Sequence, residues 1–177
     1  MQVSPSPRLT YRLLSADDKQ LLFDLDQDPQ VMRHLNHGIP SSWDDINNRF
    51  LPRLAKYHNP DKGWGLWGCF LESKFIGWVL IRPAGFFTDK PDFSALEIGW
   101  RFVQSSWGKG YATEAAQAVM QQLQLAGNHK YIAVAAIENA ASVKVMQRIG
   151  LEYLSTGIDE DPAWDGEVVR YFKDFSA

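Results

Sequence analysis

The chain has 177 residues, 45% of them hydrophobic and 22% charged, with seven Trp and ten Phe. This is enough length and apolar volume for a single globular core, and one domain spanning 1–177 is expected. A formal net charge of -3 argues against broad nucleic-acid binding, which needs clustered Lys and Arg on phosphates. Cys69 is the sole cysteine, so no intramolecular disulfide can form, and its place in an aromatic run reads as core rather than nucleophile. The N-terminal MQVSPSPRLTYRLL lacks a basic leader and a signal-length apolar run, and no stretch is apolar enough to span a bilayer. The expectation is a cytoplasmic protein with neither nucleic acid nor membrane as partner.

In chain order, LTYRLL (9–14) reads as an edge strand. Ser15 and Asp18 form a capping-box pair before a helix whose Leu21, Leu22 and Leu25 share a face. That helix is expected to end near Pro29, with a further turn over Val31 to Leu35. Ser41 and Ser42 cap a second helical stretch carrying Ile46, Phe50 and Leu54 on one side, which Pro52 should kink or split. From Gly63 to Arg82, two strand-like runs flank a Glu-Ser-Lys turn, as in a hairpin. A Gly/Pro/Asp-bearing loop (84–95) leads to a strand at 95–103. A helix then opens near Gly110, with Ala112, Ala115, Ala116, Val119, Met120 and Leu123 on one face. A strand at 130–136 precedes a helix from Asn139 to Ile149, closed by Gly150, and LEYLST and EVVRYFKDF read as two closing strands. Strand, helix, strand and helix between 95 and 150 imply a parallel crossover beside an antiparallel hairpin. The fold class is therefore mixed α/β, a central mixed sheet covered by helices.

The chemistry is concentrated in ALEIGWRFVQSSWGKGYATEAAQAVM. Here a strand enters a turn holding Gly108 and Gly110, and an Ala-rich helix succeeds it at once. Glycines let backbone N–H groups face a ligand unobstructed, and the helix N-terminus adds unpaired N–H groups and a positive dipole end suited to phosphate. GKGYAT fails the P-loop pattern, and Thr113 stands where a dinucleotide turn needs Gly or Ala.

Together with NAASVKVMQRIGL (139–151), this region resembles the GNAT superfamily of N-acetyltransferases, in particular the branch of the ribosomal-protein N-terminal acetyltransferases RimJ and RimL. The cofactor motif Gln/Arg-x-x-Gly-x-Gly/Ala is matched by Trp107-Gly108-Lys109-Gly110-Tyr111-Ala112, with Trp107 departing from Gln or Arg. RLLSADDKQLL and DPQVMRHL extend the likeness over nearly the whole chain. The resemblance implies the GNAT fold, a mostly antiparallel sheet with helices on both faces. It also implies acetyl-CoA as cosubstrate, no metal, and acetyl transfer to a primary amine, either a small molecule or a protein N-terminus. Backbone groups of Phe102 and Val103 would pair with the pantetheine arm. The turn from Gly108 through Lys109, Gly110, Tyr111 and Ala112 to Thr113 would hold the pyrophosphate. Asn139 would hydrogen-bond the pantetheine with Ser142 close by, although Asn139 also reads as a helix N-cap and Gly150 as a C-cap. Lys109 and Lys144 are either phosphate contacts or solvated surface charges.

Glu97, on the strand leading to the turn, is the candidate base. Alternation places Glu97, Gly99 and Arg101 on one face, and Leu96, Ile98, Trp100 and Phe102 on the other. A charge on a central strand needs a partner or a task, so the competing reading pairs Glu97 with Arg101 or with Arg82 across the hairpin. A backbone N–H near Val103 would hold the oxyanion. Where many relatives carry a Tyr to protonate the leaving thiolate, this chain has Met146. That departure supports the alternative of a non-catalytic acyl-CoA-binding or sensing module. The acceptor pocket is expected from the N-terminal helices and the loop 84–93, with Trp64 as a candidate lining residue. His34 and His37 lack a nearby third metal ligand, and the Asp24-Asp26-Asp28 run fails the calcium-loop pattern at Pro29 and Leu35. Nothing in the sequence sets the oligomeric state.

Overall fold

The computed structural model describes residues 1–164 and 166–176. Its strands are β1 (Thr10–Leu13), β2 (Gly65–Leu71), β3 (Lys74–Ala84), β4 (Asp92–Phe102), β5 (Lys130–Ala136), β6 (Glu152–Ile158) and β7 (Glu167–Asp174). They form one sheet in the order β1-β2-β3-β4-β5-β7-β6. The β4–β5 pair is parallel and every other pair is antiparallel, which is the mixed, mostly antiparallel sheet expected. β7 lies between β5 and β6 because it carries Val168, Val169 and Tyr171 inward, whereas β6 exposes Tyr153, Leu154 and Ile158 and takes the edge.

The β2–β3 hairpin closes through Glu72 and Ser73, both at positive φ (48° and 68°), the turn whose twist matches the flanking strands. β3 runs on to Ala84 and β4 begins at Asp92, so the expected 84–95 loop is shorter at both ends.

Ser15 and Asp18 make the reciprocal capping box that starts a 3-10 turn leading into α1 (Lys19–Leu25). Pro29 does not stop that helix. It opens α2 (Pro29–Asn36), with the Asp28 side chain accepting from Gln30 N, because a missing N–H costs nothing at a first helical position. Ser42 and Asp45 cap the next stretch, which runs as α3 (Trp43–Asp45), a π turn over Ile46–Phe50, and α4 (Leu51–Tyr57). The break expected at Pro52 is thus absorbed by a widened turn just before it. After β4 come α5 (Tyr111–Leu125) and α6 (Ala140–Arg148).

The sheet separates two apolar clusters. Leu96, Ile98 and Phe102 pack with Ala115, Ala116, Val119 and Leu123 of α5 on one side. Leu22, Leu25, Ile46 and Leu54 of the N-terminal helices pack with Leu66 and Trp78 on the other. The alternation read along β4 therefore holds. Its charged residues face the N-terminal helices, where Arg101 pairs with Asp26 rather than with Glu97.

Candidate functional site

β4 and β5 pair only at Leu96–Tyr131 and Glu97–Ile132; beyond that point they diverge. Val103 donates its N–H to Ile76 O at 3.0 Å, on the β3 side. Successive strand residues aim their backbone groups to opposite sides, so Ile98, Trp100 and Phe102 aim theirs into the gap. The result is an open strand edge inside the sheet, with the turn before α5 at its far end. The cleft formed there encloses about 430 Å³ and is lined by Trp100, Phe102, Gly108, Gly110, Tyr111, Ala112, Thr113, Asn139 and Ser142, among others.

Gly108 and Gly110 stand at φ 72° and 80°, and nothing lies within 4 Å of where a Cβ on Gly108 would point. Gly110 is the N-cap of α5 and supplies no side-chain cap, so the first-turn N–H groups remain available to a ligand. Beside them, Thr113 Oγ1 is buried without a hydrogen-bond partner. A buried hydroxyl of that kind is costly unless something accepts from it or donates to it. An open glycine cradle, uncapped donors and an orphaned hydroxyl suit a pyrophosphate.

Two braces hold the turn. The Trp107 indole Nε1–H donates to Phe102 O at 2.8 Å, so the residue departing from the family motif ties the turn to the strand end. Arg8 donates from Nη1 to Lys109 O at 2.9 Å and from Nε to Glu114 Oε2 at 2.6 Å, and its guanidinium lies over the Tyr111 ring. Ser6 also donates to Glu114. Burial alone would raise the Glu114 pKa, but these hydrogen bonds from Ser6 and Arg8 outweigh it and hold the carboxyl below its usual value. Nothing in the sequence marked Ser6 or Arg8, which lie about a hundred residues from the turn they brace.

Two expected residues sit differently. Val103 has its N–H committed to Ile76 and lies outside the cleft lining, whereas Trp100, one alternation earlier, lies within it. Lys109 presents its carbonyl to Arg8 and is likewise outside the lining, while Lys144 is within it. Asn139 does cap α6, accepting from Ser142 N at 3.1 Å, and it also faces the cleft. Met146 is buried at 1% exposure in the core, so this helix position does not point at the cleft.

A second cavity, about 320 Å³, lies on the N-terminal-helix side of β4 and meets the first at Leu35, Gly99, Trp100, Arg101, Val134 and Trp164. Its walls on this side come from Asp26 just after α1, from α2, the π turn and α4, in the N-terminal helical region expected. The loop 85–91 contributes nothing to it; the segment between β6 and β7 supplies Asp161, Ala163 and Trp164 instead. Trp64 is also absent from the lining and packs against Phe93. The reason is topological: β7 lies next to β5, which brings the β6–β7 connection over this end of the sheet.

Glu97 lines this second cavity, 8% exposed. Both its oxygens accept from Arg82, at 2.9 Å from Nε and 2.8 Å from Nη2. Arg82 also reaches Asp161 at 3.2 Å, and Asp161 accepts from Arg53 at 2.8 Å. Of the two partners open to Glu97 by sequence, Arg82 is the one observed. Tyr57, also in the lining, has its hydroxyl pKa pushed far up by burial. Cys69 is fully buried, and burial pushes its thiol pKa far up, in keeping with a core residue. Among the described residues no helix is long and apolar enough to cross a membrane.

Comparison with known proteins bears on this arrangement. A family model described as the acetyltransferase (GNAT) domain matches residues 8–152. The uncharacterized N-acetyltransferase YnaD of Bacillus subtilis is 43% identical over 147 residues, covering 81% of this chain and 79% of YnaD. The FsC-acetyl coenzyme A-N(2)-transacetylase of Aspergillus fumigatus is 29% identical over 164 residues, covering 88% of this chain and 69% of the relative. Among solved structures, RimL, a ribosomal L7/L12 alpha-N-protein acetyltransferase in complex with coenzyme A, superposes with a TM-score of 0.76. Its sequence identity is 16%, over 100% of this chain and 99% of that one.

Proposed function

This chain belongs to the GNAT acetyltransferase family, and from that premise we propose how its two cavities divide the work of acetyl-CoA-dependent N-acetylation. It is an acyltransferase that moves an acetyl group from acetyl-CoA to an amine. The splayed β4–β5 cleft takes the cosubstrate, with the pantetheine amides bridging to Trp100 and Phe102 as an added strand would. The pyrophosphate rests on the N–H groups from Gly108 to Thr113, with Lys144, Asn139 and Ser142 along the cleft wall. The observation that carries this assignment is the open strand edge leading into an uncapped, glycine-opened helix N-terminus.

The acceptor enters the second cavity, and the two ligands meet across Gly99 and Trp100. A primary ammonium first loses one proton to solvent. The neutral nitrogen attacks the thioester carbonyl, the N–C bond forms, the C–S bond breaks, and the second amine proton is removed. Glu97 is the proposed acceptor of that proton. Each of its oxygens takes one hydrogen bond from Arg82, and a carboxylate offers about four lone-pair sites. The backbone N–H of Trp100 faces the gap and is placed to meet the developing oxyanion. The departing thiolate takes a proton from solvent, so no tyrosine at position 146 is required. We place the reaction, in one domain covering 1–177, in the cytoplasm, where acetyl-CoA is at hand and a lone thiol stays reduced.

Thermal unfolding of the protein with coenzyme A, acetyl-CoA, ATP or NAD at matched concentrations tests the assignment. A ligand present at a hundredfold its Kd adds about 2.7 kcal/mol to stability. A shift with only the two coenzyme A species is expected; a shift with ATP or NAD alone, or none at all, would dismiss the cleft assignment.

A further inference from the structure

The acceptor cavity carries information about the acceptor. Its carboxylates are Asp26, Asp45, Glu97 and Asp161. An adjoining cavity that shares Arg82, Glu97 and Asp161 adds Asp159 and Glu160. Five of these six are already committed to arginines of the same walls: Asp26 to Arg101, Asp45 to Arg49, Glu97 to Arg82, Asp159 to Arg170, and Asp161 to both Arg53 and Arg82. Only Glu160, which is exposed, has no ion pair among those seen between described residues. For a polycation to take over one of the paired carboxylates, a guanidinium would be left without its counter-ion. At Arg101, whose side chain is 14% exposed and paired with Asp26, that is a largely buried charge stripped of its partner, which is unfavourable; Arg82 would be left with Asp161 alone, at 3.2 Å.

Apart from Asn36 and Ser41, the uncharged lining is apolar, and Phe50, Tyr57, Trp78, Trp100 and Trp164 make part of it aromatic. A volume of about 320 Å³ lies at the small end of the range for small-molecule pockets, about 300–1,000 Å³. We propose that the acceptor is a compact primary amine with an apolar, aromatic body and no second positive charge. The apolar body displaces water from the aromatic walls, while the single amino group meets Glu97 and the thioester at the Gly99–Trp100 end. The product is a neutral amide, released with coenzyme A as free thiol once the thiolate has taken up a proton. This inference rests on the acetyltransferase function proposed for the two cavities and narrows its acceptor.

The test is thiol release from acetyl-CoA by the full chain with phenethylamine, hexylamine, spermidine, kanamycin and a short peptide bearing a free N-terminus, all at one pH. Phenethylamine is expected to have a kcat/KM at least tenfold above spermidine and kanamycin, and above the peptide. Phe50→Ala should lower the phenethylamine value severalfold or more while leaving the KM for acetyl-CoA near that of the parent. Should that variant fold poorly, the parent protein still decides the matter, because 2-phenylethanol, which cannot be N-acetylated, should compete with phenethylamine. A preference for spermidine, kanamycin or the peptide overturns the inference. So does absence of turnover with every amine while coenzyme A still raises the unfolding temperature. Loss of the coenzyme A shift itself would instead bring down the acetyltransferase reading beneath it.

Discussion

Replacing Glu97 by Gln separates an anchoring role from a proton-accepting one. Glu97 and Arg82 side chains are each 10% exposed and joined by two hydrogen bonds. Gln keeps the shape and one acceptor oxygen but removes the charge, leaving Arg82 to Asp161 at 3.2 Å. Breaking a buried ion pair from one side costs about 3–5 kcal/mol. With Asp161 and the amide oxygen still in place, the lower end applies, about 3 kcal/mol. In a domain of this size each kcal/mol moves the midpoint by about 2–4 °C, so a fall in Tm of about 6–12 °C is expected. Differential scanning calorimetry of E97Q and of Arg82→Met measures it. Steady-state transfer across pH then distinguishes the roles. If Glu97 accepts the proton, E97Q loses kcat far more than R82M does, and the KM for acetyl-CoA changes little in either. If Glu97 only anchors Arg82, both variants lose kcat alike. A Tm and a pH–rate profile that both match the parent would refute the coupling between Glu97 and Arg82.

Removing Arg8 should loosen the glycine turn proposed to hold the pyrophosphate. With its hydrogen bond to Lys109 O and its pairing to Glu114 gone, Arg8→Ala should weaken coenzyme A binding by about 3- to 10-fold, equivalent to about 1 kcal/mol, with kcat little changed; isothermal titration and kinetics check this. The same brace predicts a pH dependence. The Glu114 pKa is lowered in the folded state, so its stabilisation is fully present above the unfolded value of about 4.3 and is lost as pH falls through the lower folded value. Thermal melts between pH 6 and 3 should show Glu114→Gln less sensitive to acid than the parent in that lower window; parallel curves would contradict it. Met146→Tyr should not increase turnover. Position 146 is 1% exposed within the core, and forcing in a larger polar-tipped ring should cost about 1–3 kcal/mol, visible as a lower Tm; a rise in kcat would show that the position reaches the leaving sulfur.

Much of the fold is legible locally. The capping box at Ser15, the cap at Ser42, the hairpin turn at Glu72-Ser73, the α5 apolar face and the Asn139 cap depend on residues a few positions apart, and the structure places them as read. The glycine turn is legible for the same reason: a strand, two glycines and a helix are contiguous. Pro29 is not, because a proline that ends one helix and one that begins the next look alike until the spacing of the elements is known.

The sequence by itself determined the mixed α/β class, the face each β4 residue presents, and the place of a glycine turn at a helix N-terminus, because all three depend on local periodicity and on backbone freedom at glycine. Only the tertiary structure decided which strand edge stays open, that Trp100 rather than Val103 shares it with Phe102, and that Arg82 rather than Arg101 holds Glu97. It also decided that Asp161 and Trp164, and not the 84–93 loop, wall the second cavity, and that Arg8 reaches Lys109 and Glu114. These contacts join residues up to 106 positions apart. Their pairing depends on sheet order and register, in particular β7 inserting beside β5, and not on any spacing along the chain.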